Sequence, residues 1–168
     1  LRQVSVADII AWRQRKETLV RRMGTHPLRT AGGEAVAHVF ALPWETVQHL
    51  AVVFGEIGDG RGLPVRLHVE DVAQDIFGPS RLLEEIMRRM GQERRGVIVY
   101  LRAGSVGVAG QQPHSAARPG HESHAEARRR ETEWREIGLG AQILRALGIS
   151  SIELLTTRRL HYVGLEAF

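Results

Sequence analysis

Residues 96–104, GVIVYLRAG, form a nearly unbroken apolar run. Such a run lacks the alternation of a half-exposed strand and predicts one covered on both faces. A strand buried on both sides needs a layer above and a layer below it, so a sheet carrying helices is expected. Neighbouring segments supply the parts. EAVAHVFAL (34–42), VQHLAVVFGEI (47–57) and LPVRLHVE (63–70) have strand character, with Gly32-Gly33 and GDGRG (58–62) as turns between them. SRLLEEIMRRMG (80–91) puts Leu82, Leu83, Ile86, Met87 and Met90 at helical spacing, with Gly91 as the expected stop. IGLGAQILRALG (137–148) predicts a helix ending at Gly148. ISSIELLTT (149–157) predicts a strand, and RRLHYVGLEAF the start of a last helix. Consecutive strands followed by strand–helix alternation predict an α/β fold with a mixed sheet.

The chain has 168 residues, 43% hydrophobic and 25% charged, which suits one globular domain with a real core. No apolar run approaches the roughly 18–20 residues that cross a bilayer, so no membrane partner is expected. Ser5 can N-cap a helix carrying Ile9, Ile10, Leu19 and Val20 on one side and ending by Gly24. The start lacks Met and the order of a signal peptide, as a piece of a longer chain would. Cysteine is absent, which excludes disulfides, thiolate zinc sites and a cysteine nucleophile.

The net charge is +4, and Lys16 is the sole lysine among 23 basic residues. Arginine suits bidentate phosphate recognition, although a GC-rich genome and surface solvation also produce such an excess. Acids interrupt the basic runs in RQRKETLVRR and EARRRETEWRE, which argues against a nucleic-acid face. Residues 103–131 are rich in small and polar residues and predict a mobile loop. His114, His121 and His124 fall within it, where Pro119-Gly120 opposes a helical metal site.

The densest chemistry lies at RLHVEDVAQD, where Arg66, His68, Glu70, Asp71 and Asp75 crowd the end of a predicted strand. Around it, four stretches resemble GTP cyclohydrolase II, the zinc enzyme that opens the guanine ring of GTP at the start of riboflavin synthesis. The closer resemblance is to the degenerate form of that domain fused behind 3,4-dihydroxy-2-butanone 4-phosphate synthase. PVRLHVEDVAQDIFG is similar to the family's P-x-V-R-V-H-S-E-C-x-T-G-D-x-F-G, and RRGVIVYLRAG to G-R-G-V-x-V-Y-L-R-Q-E-G. WREIGLGAQILRALGISSIELLT resembles R-D-Y-G-I-G-A-Q-I-L-R-x-L-G-V-x-x-I-R-L-L-T. VADIIAWRQRKETLVRR looks like the connector behind the synthase half. The resemblance therefore implies a connector helix over 1–23 and a GTP cyclohydrolase II-like domain over 24–168.

The family's three zinc cysteines fall on Asp71, Leu82 and Glu84. Zinc prefers nitrogen and sulfur donors, so no zinc and no other cofactor is expected here. Without the ion, the water that attacks the purine loses its means of activation. Arg66, His68 and Glu70 match the segment lining the nucleotide pocket; the same residues also suit a strand-end polar network. Residues 103–107, AGSVG, replace Gln-Glu-Gly-Arg-Gly and remove an acid and an arginine used on GTP. Arg135 matches the family's reactive arginine, and Glu133 stands for the aspartate that assists it. In the phosphate-gripping end Thr156 is kept, His161 falls where a lysine would be, and Arg158 and Arg159 bring charge in another geometry. The catalytic-tyrosine segment has no counterpart.

The expectation is a cytoplasmic, homodimeric pseudoenzyme domain, structural or regulatory, in one chain with a 3,4-dihydroxy-2-butanone 4-phosphate synthase domain. Two alternatives stay open. One is a divergent hydrolase with a non-thiolate metal site; the other is a sensor of GTP or a flavin-pathway nucleotide.

Overall fold

The computed structural model describes residues 17, 19–43, 45–79, 81–102 and 136–156. Six strands form one sheet: β1 (Arg21–Thr30), β2 (Gly33–Ala41), β3 (Gln48–Gly55), β4 (Leu63–Val69), β5 (Arg95–Leu101) and β6 (Ile152–Leu154). Their order is β1-β2-β3-β5-β4-β6. The first three neighbouring pairs are antiparallel, whereas β4 runs parallel to both β5 and β6. A helix α1 (Leu82–Glu93) connects β4 to β5, and residues 136–146 form a second helix, α2. The fold is α/β with a mixed sheet, as the order of apolar runs predicts.

Each face of the sheet carries its own core. Phe40, Ala51, Val53, Val65, Val97 and Val99 point one way and pack with Ile143, Leu144 and Leu147 of the α2 region. Ala35, Val52, Phe54 and Ile98 point the other way, onto Met90 of α1, with Leu83, Ile86 and Met87 alongside. Strand β5 is buried on both faces, which explains why GVIVYL shows no alternation. Each such side chain, fully buried, contributes roughly 1.5–3 kcal/mol.

Three boundaries differ from those expected. The helix expected to end by Gly24 falls mostly outside the described residues, and Arg21 is already strand. Pairing wins there: β1 zips onto β2 through a turn in which Thr30 Oγ1 accepts the Gly32 N–H and donates to the Gly33 carbonyl, both at 3.0 Å. Gly91 does not stop α1. A Cβ on it would stand 1.8 Å from the Gly32 carbonyl oxygen, so this glycine lets helix and hairpin backbones touch. The helix ends instead at Arg94, in the left-handed region (φ 49°), whose N–H reaches the Gly91 carbonyl. Finally, β6 is shorter than 149–157, because Ser150 and Ser151 turn their amides onto the Gly60 carbonyl before the strand begins. The expected final helix and the 103–131 loop, with His114, His121, His124 and His161, lie outside the described residues.

Candidate functional site at the end of β4

The C-terminal ends of parallel strands are where open α/β sheets place ligands, and here β4 and β5 deliver their polar residues. Register sets His68 beside Tyr100. Their rings stack with centroids 5.2 Å apart and planes 21° apart. After β4 the chain makes one π-helical turn, Ala73–Phe77, which returns Asp75 over these rings. Asp75 Oδ1 lies 2.8 Å from His68 Nε2. Its Oδ2 accepts the Tyr100 hydroxyl at 2.7 Å and the Asp71 N–H at 3.2 Å. A carboxylate accepting on both oxygens places the histidine proton on Nε2. Burial, and then the Asp75 hydrogen bond, push the Tyr100 phenol well above its ordinary value of 10. Tyr100 is therefore a donor throughout the physiological range.

The predicted nucleotide residues separate into three places. Arg66, two residues before His68 on the same face, donates from Nη1 to the Leu155 carbonyl at 3.0 Å, while its buried Nε has no hydrogen-bond partner among the described residues. It lines an open cleft of about 350 Å³ together with Thr156, Arg89, Leu82 and Ile86. Glu70 instead accepts from Arg102 Nε at 3.2 Å, joining the ends of β4 and β5. His68 is committed to Asp75. Arg66 and Thr156 thus share a surface, whereas His68 and Glu70 build the strand-end network. Glu133, Arg135, Arg158 and Arg159 lie outside the described residues. Reasoning from sequence passed over Tyr100 and Arg102. Their signal was the YLR at the end of the buried run, in register with His68 and Val69.

Residues 21–168 match GTP cyclohydrolase II. The chain belongs to the GTP cyclohydrolase II family. Over 173 residues it is 38% identical to the monofunctional riboflavin biosynthesis protein RIBA 2, chloroplastic, of Arabidopsis thaliana, covering 100% of this chain and 36% of that protein. Over 180 residues it is 34% identical to the bifunctional riboflavin biosynthesis protein RIBA 1, chloroplastic, of the same plant, covering 33% of it. Riboflavin biosynthesis protein RibBA of Nocardia farcinica is 34% identical over 177 residues, with 98% of this chain and 42% of that protein covered. Among solved structures, RibBX, a two-domain 3,4-dihydroxy-2-butanone 4-phosphate synthase from A. baumannii, matches with a TM-score of 0.67 and 26% identity. That match covers 96% of this chain and 41% of the other. The chain thus spans less than half the length of these relatives.

Membership of the GTP cyclohydrolase II family raises the question of zinc. The side chains at the three ligand positions do not fit it. Asp71 Oδ1 accepts the Gln74 N–H at 3.1 Å. Leu82 offers only hydrocarbon. Glu84 is paired with Arg88 one helical turn along α1. Among the described residues, no three His, Asp or Glu side chains gather as an ion would require. None of the described helices is long and apolar enough to cross a membrane.

Proposed function

We propose that this chain is the GTP cyclohydrolase II-like domain of a riboflavin-biosynthesis protein, that it does not open the guanine ring, and that it serves as a structural or regulatory module. Its companion in this reading is a 3,4-dihydroxy-2-butanone 4-phosphate synthase domain, the pair working as a homodimer in the cytoplasm. One observation carries the proposal: at the three ligand positions one carboxylate caps a turn, one side chain is aliphatic and one acid is paired within its helix. Ring opening needs a water made nucleophilic near neutral pH, and that set provides no Lewis acid to do it. Two relatives support the same reading by their names. The Arabidopsis protein at 38% identity is called monofunctional, and the two-domain RibBX is named for the synthase alone. The decisive experiment incubates zinc-loaded protein with GTP and follows formate release. No release above the buffer rate is expected; stoichiometric turnover overturns the proposal. Synthase turnover with and without this domain, and sedimentation of the pair, read the regulatory and dimeric parts.

A second reading, a nucleotide sensor, is favoured by Arg66 Nε, which has no partner among the described residues, beside Arg89 and Thr156 in the cleft. Cations there suit a phosphate. Binding at 100 times the dissociation constant would add about 2.7 kcal/mol of stability. A melting temperature unmoved by GTP, flavin nucleotides and pathway intermediates removes this reading.

A further inference from the structure

The π-helical turn poses a packing problem. None of Ala73–Phe77 is buried, and Ile76 and Phe77 are 66% and 83% exposed. A single π turn is a rare and weakly cooperative element, so apolar packing cannot be what holds it. What it does have is Asp75. We propose that the Asp75 carboxylate is an ion-free tie: by gathering His68 Nε2 and the Tyr100 hydroxyl it is, among the described residues, the side chain that fastens residues 71–78 to the ends of β4 and β5, and the Asp71 amide on its second oxygen closes the turn. The three donors come from three segments, β4, β5 and the start of the turn itself. Charge-assisted bonds of this kind are about twice as strong as neutral ones. In a zinc-binding relative a ligand at position 71 would tether this segment to α1 through the metal. Here the tether runs to the sheet and uses no metal. Tyr100 is suited to it, since its hydroxyl stays protonated. The inference is independent of whether the domain turns over GTP.

Local opening of the turn is measurable at the Phe77–Gly78 bond, where chymotrypsin cuts only a backbone that has come free. With mass-spectrometric detection of that cut, Asp75→Asn is expected to accelerate it about tenfold. Tyr100→Phe, which loses one bond and keeps the ring, should accelerate it about threefold. Amide hydrogen exchange should rise over 71–78 and stay unchanged across α1. Wild-type protein dialysed against a chelator should be cut at the untreated rate. The proposal is overturned if Tyr100→Phe is cut as slowly as wild type, or if the chelator alone speeds the cut. Should Asp75→Asn fail to fold, the Tyr100→Phe and chelator arms still decide. Formate release from GTP, assayed in parallel, reports separately on the functional reading.

Discussion

The two ends of β4 are held in opposite ways. At its start the fastening is mostly backbone: the Gly60 carbonyl accepts the amides of Ser150 and Ser151 at 2.8 and 3.2 Å and the Ser151 carbonyl accepts Leu63 N–H, with only the small serine hydroxyls added, that of Ser151 accepting Gly62 N–H. At its far end the Glu70 N–H still reaches the Leu101 carbonyl at 2.8 Å, but side chains add the rest: Asp75 with His68 and Tyr100, Glu70 with Arg102. Backbone fastening tolerates many sequences provided that glycine sits where chains touch. Side-chain fastening depends on particular ionisable groups. The polar residues that match the family's motif, Arg66, His68, Glu70 and Asp75, collect toward the second end.

The largest effect should come from breaking the first end. A Cβ on Gly60 would lie 2.2 Å from the Gly148 carbonyl oxygen, and its φ of +74° is strained for any side chain. Backbone atoms cannot swing aside, so Gly60→Ala is expected to cost about 3 kcal/mol in chemical denaturation. A loss below about 1 kcal/mol would mean that the loop relaxes and that the two ends differ less than their hydrogen bonds suggest. At the second end, Tyr100→Phe removes one half-buried bond and should cost about 1–2 kcal/mol globally, beyond its local effect on the turn. If it cost more than Gly60→Ala, the ranking of the two ends would reverse. Smaller again is Glu84→Ala, which deletes an exposed pair with Arg88 on α1 and should change stability by no more than about 0.5 kcal/mol. A larger loss, or a loss that zinc restores, would show that Glu84 does more than pair with Arg88.

Legibility in the sequence follows the same division. β2 to β5 and both helices were readable because their apolar residues repeat at 2.0 or 3.6, or run unbroken as in β5. β1 was not. RRMGTHPLRT has no apolar face, because this edge strand is exposed nearly throughout and exists only through its pairing with β2. Gly91 misled for a related reason: the same residue type that ends helices also lets them approach a neighbour's backbone, and only the contact with Gly32 distinguishes the two. At the site, the crowding of Arg66, His68, Glu70, Asp71 and Asp75 was visible. Its partition was not, since Tyr100 and Arg102 arrive from a strand about 30 residues later by parallel register.

The smallest effect lies away from both ends, and it tests whether ionisable groups matter outside the polar strand end. His38, on β2, sits half-buried with Nδ1 3.1 Å from Thr25 Oγ1. Burial, and then the positive charge of Arg22, hold its imidazole below the ordinary value of 6.5. The unfolded chain therefore takes up this proton more readily than the folded one. Stability from this source is complete above pH 6.5 and is lost as the pH falls through the lower, folded value. Solvent reaches the ring, so the change should stay within about 0.3 kcal/mol. His38→Gln keeps a hydrogen-bonding side chain opposite Thr25 and removes the titration. Its melting temperature should fall less steeply than that of wild type between about pH 6.5 and 5. Identical slopes for the two proteins would confine pH-dependent stability to groups elsewhere in the fold.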